Sequence, residues 1–204
     1  SMGLKSSSAA SVSAVRFAAT MHDISLSDPE IIQVATQMQL RAGCSMTGSF
    51  DDTWSALGKM AAVIRTDSSN PSEPVASVDI KSSMCTLLLR GARKSTPEKS
   101  DFYVNRSKFK TARDHLMSGD IRRAMRENAD AVALSTGDEL ATEIIDRLFS
   151  LDYTANISGS GPAIGVLHEQ DQASHLSEVL GAYGPTITTK IAHDPCQTEA
   201  IQWA

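Results

Sequence analysis

The sequence predicts an α+β fold with antiparallel strand pairing, and three observations lead to this prediction. Apolar residues recur at about 3.6-residue spacing, the helical period, in the early part of the chain and again between residues 107 and 149. From residue 153 onward the pattern changes to short β-like runs on either side of a glycine-rich turn. The chain has 204 residues, 41% of them hydrophobic, which is enough for a sizeable core.

The first predicted helix spans Ser8–Met21, where Val12, Val15, Ala18 and Met21 recur at helical spacing. An apolar stripe of this kind is typical of a helix that packs against a core. We therefore expect this face of the helix to be buried.

The second predicted helix begins at a capping box formed by Ser27 and Glu30, with Pro29 in its first turn. It continues to Arg41, and Gly43 ends it. Its apolar positions include Ile31, Val34, Ala35 and Met38.

A β run at Met60–Thr66 follows, and a polar, proline-containing stretch at residues 67–74 comes behind it. Such a stretch is typical of a linker between compact regions. We therefore predict an N-terminal domain over residues 1–72 and a C-terminal domain over residues 73–204.

The second part begins with a predicted strand and a polar loop containing Arg90, Arg93 and Lys94. These side chains could meet a carboxylate or phosphate, but no motif indicates this, so we interpret the loop as a solvated basic loop. Helical spacing predicts helices at residues 107–118, 121–134, 138–149 and 171–180. β-like runs predict strands at residues 84–89, 153–157, 163–167 and 186–191.

Composition disfavours several classes of protein. The formal net charge is −5 and only 5% of the residues are aromatic, so neither a basic track nor stacking platforms for nucleic acid are indicated. No apolar run reaches the roughly 18 to 20 residues that span a bilayer. Three scattered cysteines without a CxxC pair indicate neither a disulfide framework nor a structural zinc site. We expect a cytoplasmic protein with no nucleic-acid or membrane partner.

The first candidate motif is the start of the chain, where a glycine and a lysine precede three serines and a helix-compatible segment. Glycine lets the backbone approach an anion, and a helix N-terminus offers unpaired N–H groups to phosphate oxygens. Ser6, Ser7 and Ser8 could add donors or a magnesium ligand, and Lys5 could act as a point charge. The alternative is an N-terminal tail, because serine-rich ends are often disordered.

Two further motifs are weak when taken alone. Residues 47–52 read Thr-Gly-Ser-Phe-Asp-Asp, where adjacent carboxylates could bind Mg²⁺ or accept a hydroxyl proton, or could simply cap a helix. Residues 158–165 superficially resemble a GxGxxG fingerprint, but Pro162 and the β-like residues after it disfavour a Rossmann helix start, and the alternative is a tight hairpin. A GxxxxGK[ST] loop does not occur in the sequence, which disfavours a P-loop kinase.

Taken in order, the three motifs resemble the conserved blocks of the GHMP kinase superfamily, most closely those of archaeal-type shikimate kinases. That branch has a phosphate cradle of the form GLKSSSA, which residues 3–9 match letter for letter, and a TGxFDD block, which residues 47–52 match. The superfamily's late SGxGP block is matched by residues 158–162.

The resemblance implies a GHMP kinase fold, with part of an N-terminal domain like ribosomal protein S5 and a ferredoxin-like C-terminal domain. It implies binding of ATP and Mg²⁺, and phosphorylation of the 3-hydroxyl of shikimate in chorismate and aromatic amino-acid biosynthesis. In this reading Asp51 lies at the acceptor hydroxyl, Asp52 follows it, and Ser7 is the magnesium ligand. The residues implied at the nucleotide are Gly3, Leu4, Lys5, Ser6, Ser7, Ser8, Ala9, Gly159, Ser160 and Gly161.

The sequence departs from the superfamily pattern in two ways. Mevalonate and homoserine kinases have a magnesium-binding glutamate on the helix before the aspartate block, whereas this helix has Gln33, Gln37 and Gln39. Only Ser1 and Met2 precede the cradle, whereas a phosphate loop normally follows a strand. We therefore expect an N-terminally incomplete fold with an exposed sheet edge through which the chain could self-associate.

Two alternatives to shikimate phosphorylation stay open at this point. The chain could be another small-molecule GHMP kinase, acting on homoserine or mevalonate. It could also be a catalytically silent fragment that lacks the N-terminal strands.

Overall fold

A computed structural model of the protein describes residues 3–45, 48–58, 62–63, 76–93 and 97–191. The chain divides into two compact units, Ser1–Lys5 with Lys81–Ile191 as unit 1 and Ser6–Ile80 with Ala192–Ala204 as unit 2. The predicted domain boundary near residue 72 lies outside the described residues and stays a prediction. Within the described ranges, no helix combines the length and the apolar character needed to cross a bilayer.

The described part of unit 2 contains helices α1 (Ser6–Met21), α2 (Asp28–Arg41) and α3 (Asp51–Ala56). Strand β1 (Ala62–Val63) pairs antiparallel with β2 (Ala76–Ser77). The two predicted helices are confirmed, and α3 is an additional one. The strand predicted at Met60–Thr66 is described only at β1, and its other residues lie outside the described ranges.

The predicted capping box at the start of α2 is confirmed. The Glu30 carboxylate accepts hydrogen bonds from the backbone N–H of Ser27 at 2.8 Å and from the Ser27 hydroxyl at 2.6 Å. These two bonds stabilise the charged carboxylate and hold the pKa of Glu30 below its ordinary value. Proline in the first turn cannot donate a backbone hydrogen bond, and none is required of it there.

The prediction for the buried face of α1 is only half right. Val12 and Val15 are buried, but Ala18 is exposed and Met21 is 65% exposed. The C-terminal half of α1 lies beyond the packed core and, with part of α2, lines an open apolar groove that includes Val34. The core of unit 2 consists of Val12, Val15, Ile31, Ile32, Ala35 and Leu57.

Unit 1 is a four-stranded antiparallel sheet with helices between its strands. Its strands lie in the order β4, β5, β3, β6. If β3, β4, β5 and β6 are counted as strands 1 to 4 of unit 1, their order across the sheet is 2-3-1-4. From the opposite edge this is 4-1-3-2, the strand order of a ferredoxin-like sheet. The strands are β3 (Met84–Leu88), β4 (Thr154–Ile157), β5 (Ile164–His168) and β6 (Thr186–Lys190). The helices are α4 (Lys99–Val104), α5 (Arg106–Met117), α6 (Ile121–Thr136), α7 (Glu139–Ser150) and α8 (Ala173–Gly181).

One face of this sheet forms the core of unit 1. Directly opposed residues of β3 and β5, such as Leu88 with Ile164 and Thr86 with Val166, lie on the same face and are buried. Apolar side chains of α6, α7 and α8 pack in the same cluster. All predicted strands and helices of this region are confirmed to within a few residues, and α4 is an additional helix.

A nearly buried ion pair joins the end of β3 to the start of α7. Asp138 caps α7 by accepting from the backbone N–H of Ala141 at 3.1 Å. Both terminal nitrogens of Arg90 donate to the Asp138 carboxylate at 2.7 Å. The side chain of Arg90 is only 8% exposed, so the pair lies in a region of low solvent screening.

Replacement of Arg90 by methionine is expected to lower the free energy of unfolding by about 3 kcal/mol, because the Asp138 carboxylate loses its guanidinium partner in a mostly buried place. Urea denaturation measures the change. The matched control is Arg123→Met, which breaks an ion pair whose arginine is 65% exposed and should cost at most about 0.5 kcal/mol. Equal losses in the two variants would contradict the prediction.

Candidate functional site

The segment that matches the phosphate cradle runs into the first turn of α1. Gly3, Leu4 and Lys5 precede the helix, and Ser6–Ala9 form its beginning. Ser8 is almost fully buried and Ser7 is partly buried, whereas Ser6 and Ala9 are exposed. The helix continues for 16 residues, so its N-terminus carries the partial positive charge of a full-length helix.

Gly3 lies against the loop that joins β4 to β5. The Ser158 hydroxyl donates a hydrogen bond to the Gly3 carbonyl oxygen at 2.8 Å. A Cβ at Gly3 would lie 2.4 Å from the Ser158 carbonyl oxygen and 2.8 Å from that of Gly161. Gly3 also has a φ of +77°, in the left-handed region that favours glycine. The packing against this loop therefore requires glycine, whereas sequence reasoning attributed the glycine to anion access.

The same loop carries Gly159, one of the implied nucleotide residues. A Cβ at Gly159 would lie 2.8 Å from Cε and 3.0 Å from Nζ of Lys5. The lysine side chain therefore extends across the space that a side chain at residue 159 would fill. Gly3, Lys5, Gly159 and Gly161, all implied site residues, are brought together within unit 1.

The serine hydroxyls of the cradle are held by one amide of α2. Ser8 Oγ donates to Gln39 Oε1 at 2.9 Å, and Ser7 Oγ donates to the same oxygen at 3.4 Å. Gln39 is 6% exposed, and its amide nitrogen donates to the Ala35 carbonyl oxygen at 3.4 Å. The orientation of both hydroxyls is therefore set from inside unit 2.

The adjacent carboxylates lie in the first turn of α3. Asp51 is exposed, and its Oδ1 accepts a hydrogen bond from the Ser49 hydroxyl. Asp52 is partly buried. Thr47, the first residue of the motif, lies outside the described residues. Two carboxylates at the start of α3 agree with the favourable effect of negative charge near a helix N-terminus.

Helix α2 contacts both the cradle and the carboxylate helix. Thr36 Oγ1 and Thr53 Oγ1 share a buried hydrogen bond of 2.9 Å, and Thr53 Oγ1 also lies 2.9 Å from the Phe50 carbonyl oxygen. Thr36 and Gln39 are three residues apart on α2, which corresponds to about 4.5 Å along the helix axis. Ser8 and Thr53 are thus anchored to neighbouring positions of one helix.

The interpretation of the loop after β3 as solvated is wrong for two of its three basic residues. Arg90 is held by Asp138, and Arg93 Nη2 donates to Ser160 Oγ at 2.7 Å and to the Gly161 carbonyl oxygen at 3.1 Å. Both arginines therefore contact other parts of unit 1 instead of water alone. Lys94 lies outside the described residues.

Sequence reasoning missed three residues that shape this site: Gln39, Arg90 and Arg93. A signal for Gln39 was present, because it lies four residues after Ala35 and seven after Ile32, on the apolar face of the predicted helix. A polar residue on such a face needs a buried partner. The partners of the arginines lie 48 to 72 residues away in the sequence, and no local pattern indicates them.

Two family models match the chain. The one described as GHMP kinases N terminal domain matches residues 1–59, and the one described as GHMP kinases C terminal matches residues 117–186. The ferredoxin-like strand order of unit 1 agrees with this match. The chain belongs to the GHMP kinase family.

Within that family, the chain is similar to two curated archaeal shikimate kinases. It is 27% identical to that of Methanocella arvoryzae over 201 residues, which cover 94% of this chain and 66% of the relative. It is 28% identical to that of Methanosarcina mazei over 200 residues, covering 93% and 64%. The chain therefore spans about two thirds of the length of these relatives.

A solved structure shows the same fold. The structure of a Listeria monocytogenes protein assigned as a homoserine kinase superposes with a TM-score of 0.57 at 19% sequence identity. The superposition covers 92% of this chain and 65% of that protein. The predicted GHMP kinase fold of mixed helices and antiparallel sheet is confirmed.

Replacement of Gly3 by alanine is expected to separate the start of the chain from the loop between β4 and β5, because neither carbonyl that its Cβ would meet belongs to a flexible side chain. The displaced Ser158 carbonyl accepts the Gly161 N–H at 3.0 Å, so amide exchange at Gly161 should become faster. Gly43→Ala is the matched control, with a φ of +65° but no atom within 4 Å of its Cβ. Equal Gly161 exchange in both variants would contradict the prediction.

Proposed function

We propose that this protein transfers the terminal phosphoryl group of ATP to the 3-hydroxyl of shikimate. Family membership supports phosphoryl transfer to a small molecule, and the two archaeal relatives support shikimate as the acceptor. The observation that carries the proposal is the anchoring of Ser7, Ser8 and the Asp51 helix to one turn of α2. It gives the cradle hydroxyls and the carboxylates a common rigid support.

The phosphate groups of the nucleotide would lie at the residues 3–9 segment. The N-terminus of α1 offers backbone N–H groups, Ser6 is exposed, and Lys5 supplies a positive charge. Within unit 1, Gly159, Ser160 and Gly161 would support Gly3 and Lys5 from the β4–β5 loop, where Gly3 packs. Because phosphoryl transfer depends mostly on positioning and charge stabilisation, preformed donors of this kind suit the reaction.

Magnesium fits the chemistry of the donors around Ser7. Oxygen ligands are the ones that Mg²⁺ prefers, and Ser7 is only partly buried. Gln39 supplies a neutral amide oxygen to Ser7, and among the described residues no group of three or more His, Cys, Asp or Glu side chains is placed to hold a metal. Ser7 would thus bind the metal together with the nucleotide's own phosphates, and the ion would neutralise part of their charge.

Asp51 would orient the acceptor hydroxyl. It is the exposed member of the carboxylate pair, and the Ser49 hydroxyl fixes one of its oxygens. The oxygens of the Asp51 side chain can accept a hydrogen bond from an alcohol. Its main role would be positioning, because the loose transition state of phosphoryl transfer needs little help from a base.

A coupled ADP-release assay tests the proposed reaction. The 204-residue chain is given Mg²⁺ and ATP with shikimate, homoserine or mevalonate in separate reactions, and turnover is expected with shikimate only. Turnover with homoserine or mevalonate alone would contradict the acceptor assignment. Silence with all three, in a chain that binds ATP, would contradict activity of this chain by itself.

Asp51→Asn is expected to lower kcat about 100-fold or more while the Kd for ATP stays within about twofold, because the amide keeps the shape but loses the charge that orients the hydroxyl. The control is Asp23→Asn, the same change at an exposed residue of unit 2. Steady-state turnover at saturating ATP and shikimate measures kcat, and calorimetric titration measures the Kd for ATP. An unchanged kcat in Asp51→Asn would remove Asp51 from the reaction.

A further inference from the structure

The loop between β4 and β5, residues 158–162, receives two short hydrogen bonds from the side chain of Arg93. Arg93 Nη2 donates to two consecutive residues of this loop, to Ser160 Oγ at 2.7 Å and to the Gly161 carbonyl oxygen at 3.1 Å. Hydrogen bonds from a charged donor are stronger than those between neutral groups. Two of them on adjacent residues restrain both a side chain and the backbone of the loop.

The neighbouring arginine has a different role. The two terminal nitrogens of Arg90 are directed at the Asp138 carboxylate, and its contact with the loop is one long bond of 3.4 Å to the Pro162 carbonyl oxygen. Arg90 therefore fixes the start of α7, whereas Arg93 fixes the two loop residues that precede Pro162.

The restrained loop is the surface on which Gly3 rests. The Gly161 carbonyl oxygen that accepts from Arg93 is one of the two oxygens that would lie within 3 Å of a Cβ at Gly3. The Ser158 hydroxyl at the other end of the loop holds the Gly3 carbonyl oxygen. A shift of the loop would therefore displace Gly3.

We propose that Arg93 is a positioning residue for nucleotide binding. By holding Ser160 and Gly161 it fixes the surface against which Gly3 packs and along which the Lys5 side chain extends. The inference rests on the proposed function, because it takes Gly3 and Lys5 as part of the segment that binds the phosphate groups. Arg93 acts through the loop and needs no contact with the nucleotide.

The test compares ATP affinity, by calorimetric titration, in Arg93→Met, Arg93→Lys and Arg147→Met. Arg93→Met is expected to bind ATP at least about tenfold more weakly, since the loop loses both bonds. Arg93→Lys keeps a charged donor on a shorter side chain, so it should recover part of the ATP affinity that Arg93→Met loses. Arg147 donates to Tyr183 Oη at 3.1 Å, elsewhere in unit 1, and its replacement should leave the Kd unchanged.

Comparison of the KM for ATP with the KM for the acceptor distinguishes a positioning role from a general loss of structure. In Arg93→Met the KM for ATP should rise about tenfold while the KM for the acceptor stays within about twofold. Wild-type ATP affinity in Arg93→Met would overturn the inference, and so would equal rises in both KM values.

If the wild-type chain binds no ATP, that result counts against the proposed function itself. The restraint of the loop by Arg93 can then still be tested by amide hydrogen exchange at Gly161. The Gly161 N–H donates to the Ser158 carbonyl oxygen at 3.0 Å and reports on the loop directly. Exchange about tenfold faster in Arg93→Met than in Arg147→Met would support the restraint of the loop by Arg93. Equal exchange in the two variants would overturn it.

Discussion

The arrangement of the candidate site depends on two buried polar side chains of α2, Gln39 and Thr36. A buried hydroxyl or amide without a partner costs about 1 to 3 kcal/mol, so each of these groups must face its partner in the folded unit. Gln39 thereby fixes the hydroxyls of Ser7 and Ser8, and Thr36 fixes α3 through Thr53. Apolar contacts alone would hold these helices together without setting such directions, since the hydrophobic effect is non-directional.

The start of the chain obeys a second constraint, which is steric. At Gly3 there is no room for a Cβ beside the Ser158 and Gly161 carbonyl oxygens, and the backbone has a left-handed φ. Glycine at residue 3 is thus explained by packing before any ligand is considered. The same loop is restrained by Arg93, so an interaction outside the motif controls the geometry of residues inside it.

Much of the fold could be predicted because long helices and alternating strands leave a periodic signal. Helices α3 and α4 were missed because six residues hold fewer than two turns, too few for a period to show. The burial predicted for Ala18 and Met21 was wrong because an apolar stripe shows which side of a helix is apolar and not how far the core extends. The contacts of Arg90 and Arg93 join distant parts of the chain, so the sequence alone indicated only a charged loop.

Residues 3–8 are the segment proposed to bind the phosphate groups of a nucleotide, and Gly3 packs against the β4–β5 loop. The most direct test of this proposal is an ATP titration of protein labelled with ¹⁵N only at its 12 glycines. The amide signals of Gly3, Gly159 and Gly161 should shift at saturating ATP, while those of Gly119 and Gly181 stay in place. If the first three signals do not move while ATP is bound, the nucleotide binds elsewhere and the account is contradicted.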